Sequence, residues 1–451
     1  MIDIGKEAHD LASWPARDRL RALQRILPRI DVEACLDPGR AACARLPAWF
    51  MVWFVVAIGL CCRDSYRQVF RWLQPRRPGG IPPRSTLCEA RKRLGVAPLR
   101  RLAESAVRLL GKPTTPGAFR RGMRLMALDG FTIDVADTPR NERAFGRPGT
   151  RRAPGAFPQA RVLALCETGS HVLWRWQVKP LAVGEVTMAH GLLRHLRRGM
   201  LLLWDRNFFG YRTLAAVVGR RAHLLARVAS NRRFDPVATL SDGTYLARCY
   251  ASRPDRREGR GGITVRVIAY TLDDPGRPGR CVAHRLVTTL LDERLDPAEE
   301  LIVLYHERWE QELAIDELKT HQRERPVLRS RTPAGVVQEL YGLLLGHYLV
   351  RVLMQEAAAR RGLDPDRLSF TAAVKVLRCR LPECPGSRRG RGRWYESLLA
   401  EIGEEVLPPR RDRINPRVIR RKMSNWLKKR PEHRGYPQPT KDFRDAIVLL
   451  C

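Results

Sequence analysis

Apolar residues in the first 115 positions recur with helical spacing. Residues 46–62 (LPAWFMVWFVVAIGLCC) are seventeen uncharged, mostly apolar positions. A membrane-spanning helix wants about twenty such residues, so this run predicts a buried core helix with Pro47 in its first turn. Tyr66, Val69, Phe70 and Leu73 follow at i, i+3, i+4 and i+7, one face of a helix. After a Pro/Gly-rich break at 75–83, residues 85–95 predict a short helix with Thr86 and Glu89 as a capping box and Gly95 as its stop.

The period shortens near residue 122. Residues 124–129 read as a buried strand, 131–136 alternate, 160–166 are β-like, and a turn at 167–170 leads into a strand at 171–178. A helix at 186–197, a buried strand at 200–205 and a helix from about Tyr211 follow. Strands alternating with helices predict a mixed α/β class. From 223 to about 292 the signals are strand-only (223–228, 244–250, 263–272, 284–291), parted by turns at 253–262 and 273–279, as in a β-rich insertion. A strong helix starts near Pro297. The last hundred residues predict amphipathic helices and a basic Gly/Arg loop at 387–393.

Length adds that 451 residues form two to four structural units with enough core to fold unaided. The boundaries expected are a helical N-terminal part at 1–115, a mixed domain at 120–350 with the β-rich insertion at 213–296 inside it, and a basic helical region at 351–451. Charge changes the picture more. Lys and Arg number 82 against 47 Asp and Glu, a formal +35. A compact chain so charged repels itself unless its partner is a polyanion, so nucleic acid is the expected partner. Only ten of the basic residues are Lys. A GC-rich coding bias explains Arg in place of Lys but not the net charge. Residues 351–451 alone hold 24 basic and 12 acidic residues.

The eleven cysteines are scattered, without C-x-x-C pairs or zinc-ligand spacing, and read as small buried hydrophobes of a reducing cytoplasm. The first ten residues carry acids and no apolar stretch, unlike a signal peptide.

Three groups of residues carry candidate chemistry. Arg91, Lys92 and Arg93 sit on the short capped helix, which suits either a DNA-reading helix or a solvated basic face. Asp129 (LMALDG) and Asp205 (LLLWDR) end apolar strands, where a rigid sheet can present oxygen ligands to hard Mg²⁺ or Mn²⁺. Strand-end Asp also serves as a turn former or helix cap. Asp134 and Asp137 lie close by, but the strand-end position favours Asp129. In the helix from residue 305, Tyr305, Arg308, Glu312 and Lys319 fall at about 0°, 300°, 340° and 320° around the axis, within one ~60° arc. An Arg308–Glu312 ion pair on a solvated helix fits that geometry too. His190 and His195 read as surface or packing residues.

The spacing Tyr305-(2)-Arg308-(3)-Glu312-(6)-Lys319 resembles the signature helix of the insertion element 4 family of bacterial DDE transposases. Asp129-Gly130-Phe131-Thr132 with 137–141 and 144–149 resembles the family's first-Asp region, and 204–211 its second. Residues 63–67 and 90–95 resemble its N-terminal domain, and the likeness runs over roughly 20–440. Asn207 departs from the Gly usual after Asp-Arg, and Phe131 from the Thr or Ser that often follows Asp-Gly.

What the resemblance implies is an RNase H-like catalytic domain with a β-strand insertion between the second Asp and the Glu. Asp129, Asp205 and Glu312 would bind two Mg²⁺ (or Mn²⁺) ions, and Tyr305, Arg308 and Lys319 would contact the DNA backbone beside the cut. It further implies cut-and-paste transposition, with terminal inverted repeats and target DNA as partners, a homodimer on DNA, and a cytoplasmic, nucleoid-associated protein with no membrane partner. Two alternatives stay open: an inactive DNA-binding relative of the same fold, and an RNA-binding or membrane-surface protein built around the 46–62 helix.

Overall fold

The computed structural model describes residues 24–37, 46–74, 80–149, 153–229, 231–276, 282–306, 308–385, 387–408 and 440–450. The expectations for residues 1–23, much of the 75–83 break, the end of the 273–279 turn and the basic stretch at 409–439 lie outside them.

The helical start contains α1 (Arg29–Ala34), α2 (Ala48–Leu60), α3 (Tyr66–Leu73), α4 (Arg84–Leu94) and α5 (Ala97–Ala106). Next come β1 (Phe119–Arg120), β2 (Met123–Val135), α6 (Pro139–Phe145), β3 (Gln159–Glu167), β4 (Val172–Pro180), α7 (Glu185–Leu193), β5 (Met200–Trp204), α8 (Tyr211–Gly219) and β6 (His223–Arg227). The strand-rich stretch holds β7 (Pro236–Thr239), β8 (Tyr245–Cys249), the single-turn α9 (Arg253–Arg257), β9 (Ile263–Leu272) and β10 (His284–Thr288). Last are α10 (Ala298–His306), α11 (Trp309–Asp316), a π-helical segment (Glu317–Gln322), β11 (Val327–Leu328), α12 (Pro333–Arg361), α13 (Phe370–Arg380), α14 (Arg388–Glu404) and β12 (Ile447–Leu449).

The chain divides into two compact units that interleave in sequence. One comprises 1–119, 129–192 and 310–407; the other comprises 120–128, 193–309 and 408–451.

The first unit explains the apolar run at 46–62. Every residue of α2 from Phe50 to Leu60 is buried, because the 29-residue α12 lies along it and other helices cover its remaining sides. A helix apolar all round belongs inside a core. The two helices cross backbone to backbone: a Cβ on Gly59 would come 2.1 Å from the Gly342 carbonyl oxygen, and one on Gly342 2.2 Å from that of Val55. Gln322 bridges the crossing, its Nε2 donating to the carbonyls of Gly59 (2.9 Å) and Leu343 (2.8 Å). No helix among the described residues is long and apolar enough to cross a membrane. In the same unit β3 pairs antiparallel with β4, and β11 runs parallel to β2 at Asp134 and Val135.

The second unit is built on a sheet whose first three strands are parallel. The N-terminal half of β2 pairs with β5, and β5 with β6; their runs LMAL, LLLW and LLA are buried, as both faces of a parallel sheet are. Antiparallel β10, β9, β8 and β7 continue the sheet, and β12 pairs with the far end of β9. The face of α10 bearing Leu301, Ile302 and Tyr305 packs with Leu125, Leu203, Leu225 and Ile268 in one core.

Several local expectations are corrected. Helix α4 begins at Arg84 after Pro83, with no side-chain cap, so Thr86 and Glu89 lie inside it; proline's fixed φ already orients the first turn. Gly95 does end it, at φ 69°. The 387–393 stretch is the start of α14, with the Ser387 hydroxyl accepting from the Gly390 amide, rather than a loop. Residues 253–257 form the helix α9 inside an expected turn.

Buried arginines are frequent. Arg266 and Arg351 are among the largest fully buried side chains. Arg266 donates to the Thr244 hydroxyl (2.8 Å) and the Asp296 carbonyl (2.6 Å) and pairs with Asp242.

Candidate active site

Asp129 and Asp205 orient their carboxylates alike, but the strand-end expectation is corrected for Asp129: only Asp205 follows a strand end, and β2 runs on through Asp129 to Val135. Leu128 of β2 stands opposite Trp204 of β5, the last pair of the parallel register, and Asp129 and Asp205 are the residues that follow them in the chain. Each Asp turns its Oδ1 onto the amide of the residue that follows: Asp129 accepts from Gly130 at 2.8 Å and Asp205 from Arg206 at 2.6 Å. Both side chains are half-buried. The main-chain amide that follows thus fixes the orientation of each carboxylate locally.

The segment from Tyr305 to Lys319 is not the single helix its spacing predicts. Tyr305 ends α10, Arg308 lies in a turn, Glu312 is on α11 and Lys319 is in the π segment. Glu307 lies outside the described residues. An i→i+5 segment also holds more residues per turn than an α-helix, so a count at 100° per residue does not reach Lys319. The one-arc expectation is therefore withdrawn.

Each residue nonetheless has a definite place. Tyr305 is 8 % exposed, and its hydroxyl donates to the Trp204 carbonyl at 3.2 Å, next to Asp205. Burial pushes its phenol well up, Arg308 opposes and the Asp205 carboxylate adds, so Tyr305 stays a proton donor at neutral pH. Its hydroxyl supports the strand end instead of standing on an exposed DNA-facing stripe. The Arg308 guanidinium lies 6.0 Å from the Tyr305 ring centre. Glu312 is half-buried. The Lys319 ammonium stands 5.8 Å from the ring centre of Phe131, two residues on from Asp129. The Phe that departs from the family pattern is thus a platform for one of the pattern's cations.

The basic helix α4 splits. Arg91 is 5 % exposed, donates to the Tyr66 hydroxyl and to the Gly335 carbonyl (3.1 Å), and joins α4 to α3 and α12. Arg91 is thus buried within the helical core, where the expectation had placed it with Lys92 and Arg93 on one basic face. Lys92 and Arg93 are exposed, Lys92 2.6 Å from Glu89.

Comparison with known proteins decides the family. Residues 120–349 match the model of the transposase DDE domain, and 17–104 match the insertion element 4 transposase N-terminal domain. The transposase InsG of insertion sequence element IS4 from Escherichia coli (strain K12) is 31 % identical over 386 residues, 83 % of this chain and 86 % of that protein. The chain belongs to the insertion element 4 family of transposases. A putative transposase InsZ of the same organism is 27 % identical over 191 residues, 41 % of this chain and 62 % of that one. A solved piggyBac transposase synaptic complex with hairpin DNA aligns over 87 % of this chain and 86 % of its own at 12 % identity and a TM-score of 0.42.

As a DDE transposase the protein is a metal-dependent DNA phosphoryl transferase, its partner is DNA, and its mixed α/β architecture is RNase H-like. Asp129, Asp205 and Glu312 each carry carboxylate oxygens, the hard donors that a divalent cation of the Mg²⁺ type prefers.

The transposase also contains a buried charge cluster that the sequence did not announce. His171, with a left-handed φ of 56° just before β4, puts Nε2 2.8 Å from Glu310 and Nδ1 3.0 Å from Glu317. His347 reaches the other Glu317 oxygen at 3.1 Å, and Arg351 lies 3.4 Å from Glu317 and 3.1 Å from Asp366. His171, Glu310 and Asp366 hold ligand-capable atoms within 4.8 Å of one another. Burial alone pushes the His171 imidazole down, but Asp366, Glu317 and Glu310 outweigh it against Arg351 and raise it to about 9. Glu317 is held well below the usual carboxylate range: Arg351 and His171 overcome the effect of burial. The arrangement is an imidazolium donating from both nitrogens to carboxylates. Only the pair Glu310 and Glu317, seven apart, hinted at it.

Proposed function

We propose that this transposase cuts DNA at the terminal inverted repeats of its element and joins the freed 3′-OH ends to target DNA, with Asp129, Asp205 and Glu312 as the carboxylates that hold two Mg²⁺ (or Mn²⁺) ions. The observation that carries the reading is the parallel register of Leu128 with Trp204, which makes each Asp the residue that follows the last paired position. Glu312, on a short helix after the strand-rich stretch, supplies the third carboxylate in the spacing of the family signature.

Held by these carboxylates, divalent ions would supply Lewis-acid activation of a water or a 3′-OH and charge to offset the leaving oxygen. The protein's own groups do the rest. The amides of Gly130 and Arg206 orient the two Asp side chains. Lys319 and Arg308 offer cations to DNA phosphates without competing for metal. Tyr305 steadies the strand end beside Asp205. Lys92 and Arg93 of α4, in the N-terminal part at 1–115, extend the phosphate-binding surface, and the protein pairs two element ends as a homodimer.

The test is Asp205→Asn on duplex DNA carrying an element end, read from the inverted repeats flanking the gene. Cleavage in Mg²⁺ is expected to vanish while gel-shift binding to the same duplex survives. Cleavage that persists in the variant removes Asp205 from the metal site.

A further inference from the structure

The buried cluster around His171 takes hold of one side of α11. Glu310 and Glu317 are seven residues apart, about 20° short of two full helical turns, so they share one side of α11 and its π extension. Glu312 stands about 200° around from Glu310, on the opposite side. One imidazole grips both carboxylates of the buried side, at 2.8 Å and 3.0 Å. Between them Gln311 donates to the Ala164 carbonyl of β3 at 3.0 Å. Arg351 of α12 locks the assembly from behind, its Nε donating to the Ser170 carbonyl at 2.7 Å. A helix held at two points two turns apart can neither rotate about its axis nor slide along it.

We propose that His171 is a positioning residue for Glu312: by clamping Glu310 and Glu317 it fixes the rotation and height of α11, and so the direction in which Glu312 projects. The proposal rests on the reading of Glu312 as a metal-binding carboxylate. His171 does not touch DNA or the reacting atoms; it acts through two acids on the helix's other side. The left-handed backbone at His171 belongs to the same device, since it delivers the ring from the end of the β3–β4 turn into the gap between two acids. The switch to π geometry begins at Glu317, the second grip point.

The experiment uses the full chain in three forms, wild type, Glu312→Gln and His171→Gln, each assayed for gel-shift binding to element-end DNA, for cleavage as a function of Mg²⁺ concentration and for thermal unfolding. Glutamine fills much of the imidazole's volume but carries no charge and has both donors on one nitrogen, so it cannot bridge the two carboxylates from opposite sides of a ring as His171 does. His171→Gln is expected to bind DNA within about twofold of wild type, to cleave on the order of 100-fold more slowly and to need roughly tenfold more Mg²⁺ for half-maximal cleavage. Glu310→Gln, which loosens one grip and keeps the volume, is expected to show the same pattern more weakly and carries the test if His171→Gln does not fold. Folded variants with unchanged cleavage and Mg²⁺ dependence overturn the proposal. So does a loss of cleavage that only follows loss of binding, with Mg²⁺ saturation unmoved. Cleavage surviving in Glu312→Gln overturns the metal-site reading itself, whereas an inactive Glu312→Gln beside an unaffected His171→Gln overturns only the role of His171.

Discussion

The Tyr305 hydroxyl donates to the main-chain carbonyl of Trp204 at 3.2 Å, which ties the end of α10 to the last residue of β5. The residue after Trp204 is Asp205, so the bond braces the peptide that carries a proposed metal ligand. Tyr305→Phe leaves the ring packing in place and orphans one buried carbonyl. It is expected to cost about 1–2 kcal/mol of stability and to slow cleavage more than it weakens DNA binding. Thermal unfolding read beside single-turnover cleavage checks both; an unchanged melting temperature would show the bond to be idle.

Arg91 and Arg93, two residues apart on α4, are expected to fail in different ways. Arg91→Ala strands the Tyr66 hydroxyl and the Gly335 carbonyl in the core and should destabilise the fold by about 2–4 kcal/mol. Arg93→Ala should leave stability within about 0.5 kcal/mol and lower the salt dependence of DNA binding by about one unit of slope. Denaturant melts and binding titrations across a salt series separate the two.

At the α2–α12 crossing a methyl group has no room, since a Cβ on Gly59 would sit 2.1 Å from a backbone oxygen. Gly59→Ala is expected to push the helices apart and cost on the order of 3 kcal/mol or more, well above the usual effect of Gly→Ala in a helix, which favours Ala. Urea unfolding gives the value. A neutral or stabilising outcome would mean the helices do not cross at these glycines.

His171 makes stability depend on pH with a definite sign. Its folded value of about 9 lies above the ordinary 6.5 of an unfolded histidine, so the folded form binds the extra proton. That contribution is complete below about pH 6.5 and is lost as pH rises through 9, on the order of 3 kcal/mol in all. Wild-type melting temperature should fall across this window, and His171→Gln should flatten the fall. A variant that keeps the full slope would place the titrating group elsewhere.

Much of this fold is legible in the sequence because burial on all sides leaves an uninterrupted apolar run. The 46–62 stretch and the LMAL and LLLW strands are recognisable that way, and the strand-only region from 223 by its short strands parted by turns. Asp205, directly after LLLW, was legible for the same reason, whereas Asp129 reads as the end of a strand that in fact runs on to Val135. What escaped were features that composition disguises. Arg91 reads as a surface cation because charge is usually solvated, yet Tyr66 and Gly335 take up its donors. The segment from Tyr305 to Lys319 consists of good helix formers throughout, so no residue marks the turn at Arg308 or the π geometry from Glu317. His171 looked like the opening of a strand, since its partners are more than 130 positions away in the chain.

Arginines enclosed within the fold, Arg91, Arg266 and Arg351 among them, have a consequence for how tightly this transposase holds DNA. Each counts toward the formal +35 but is already spent on carbonyls, hydroxyls and carboxylates of its own chain. Counterion release on binding will therefore number the phosphates met by the outer cations alone, and the overall basicity of the chain overstates its grip on the double helix.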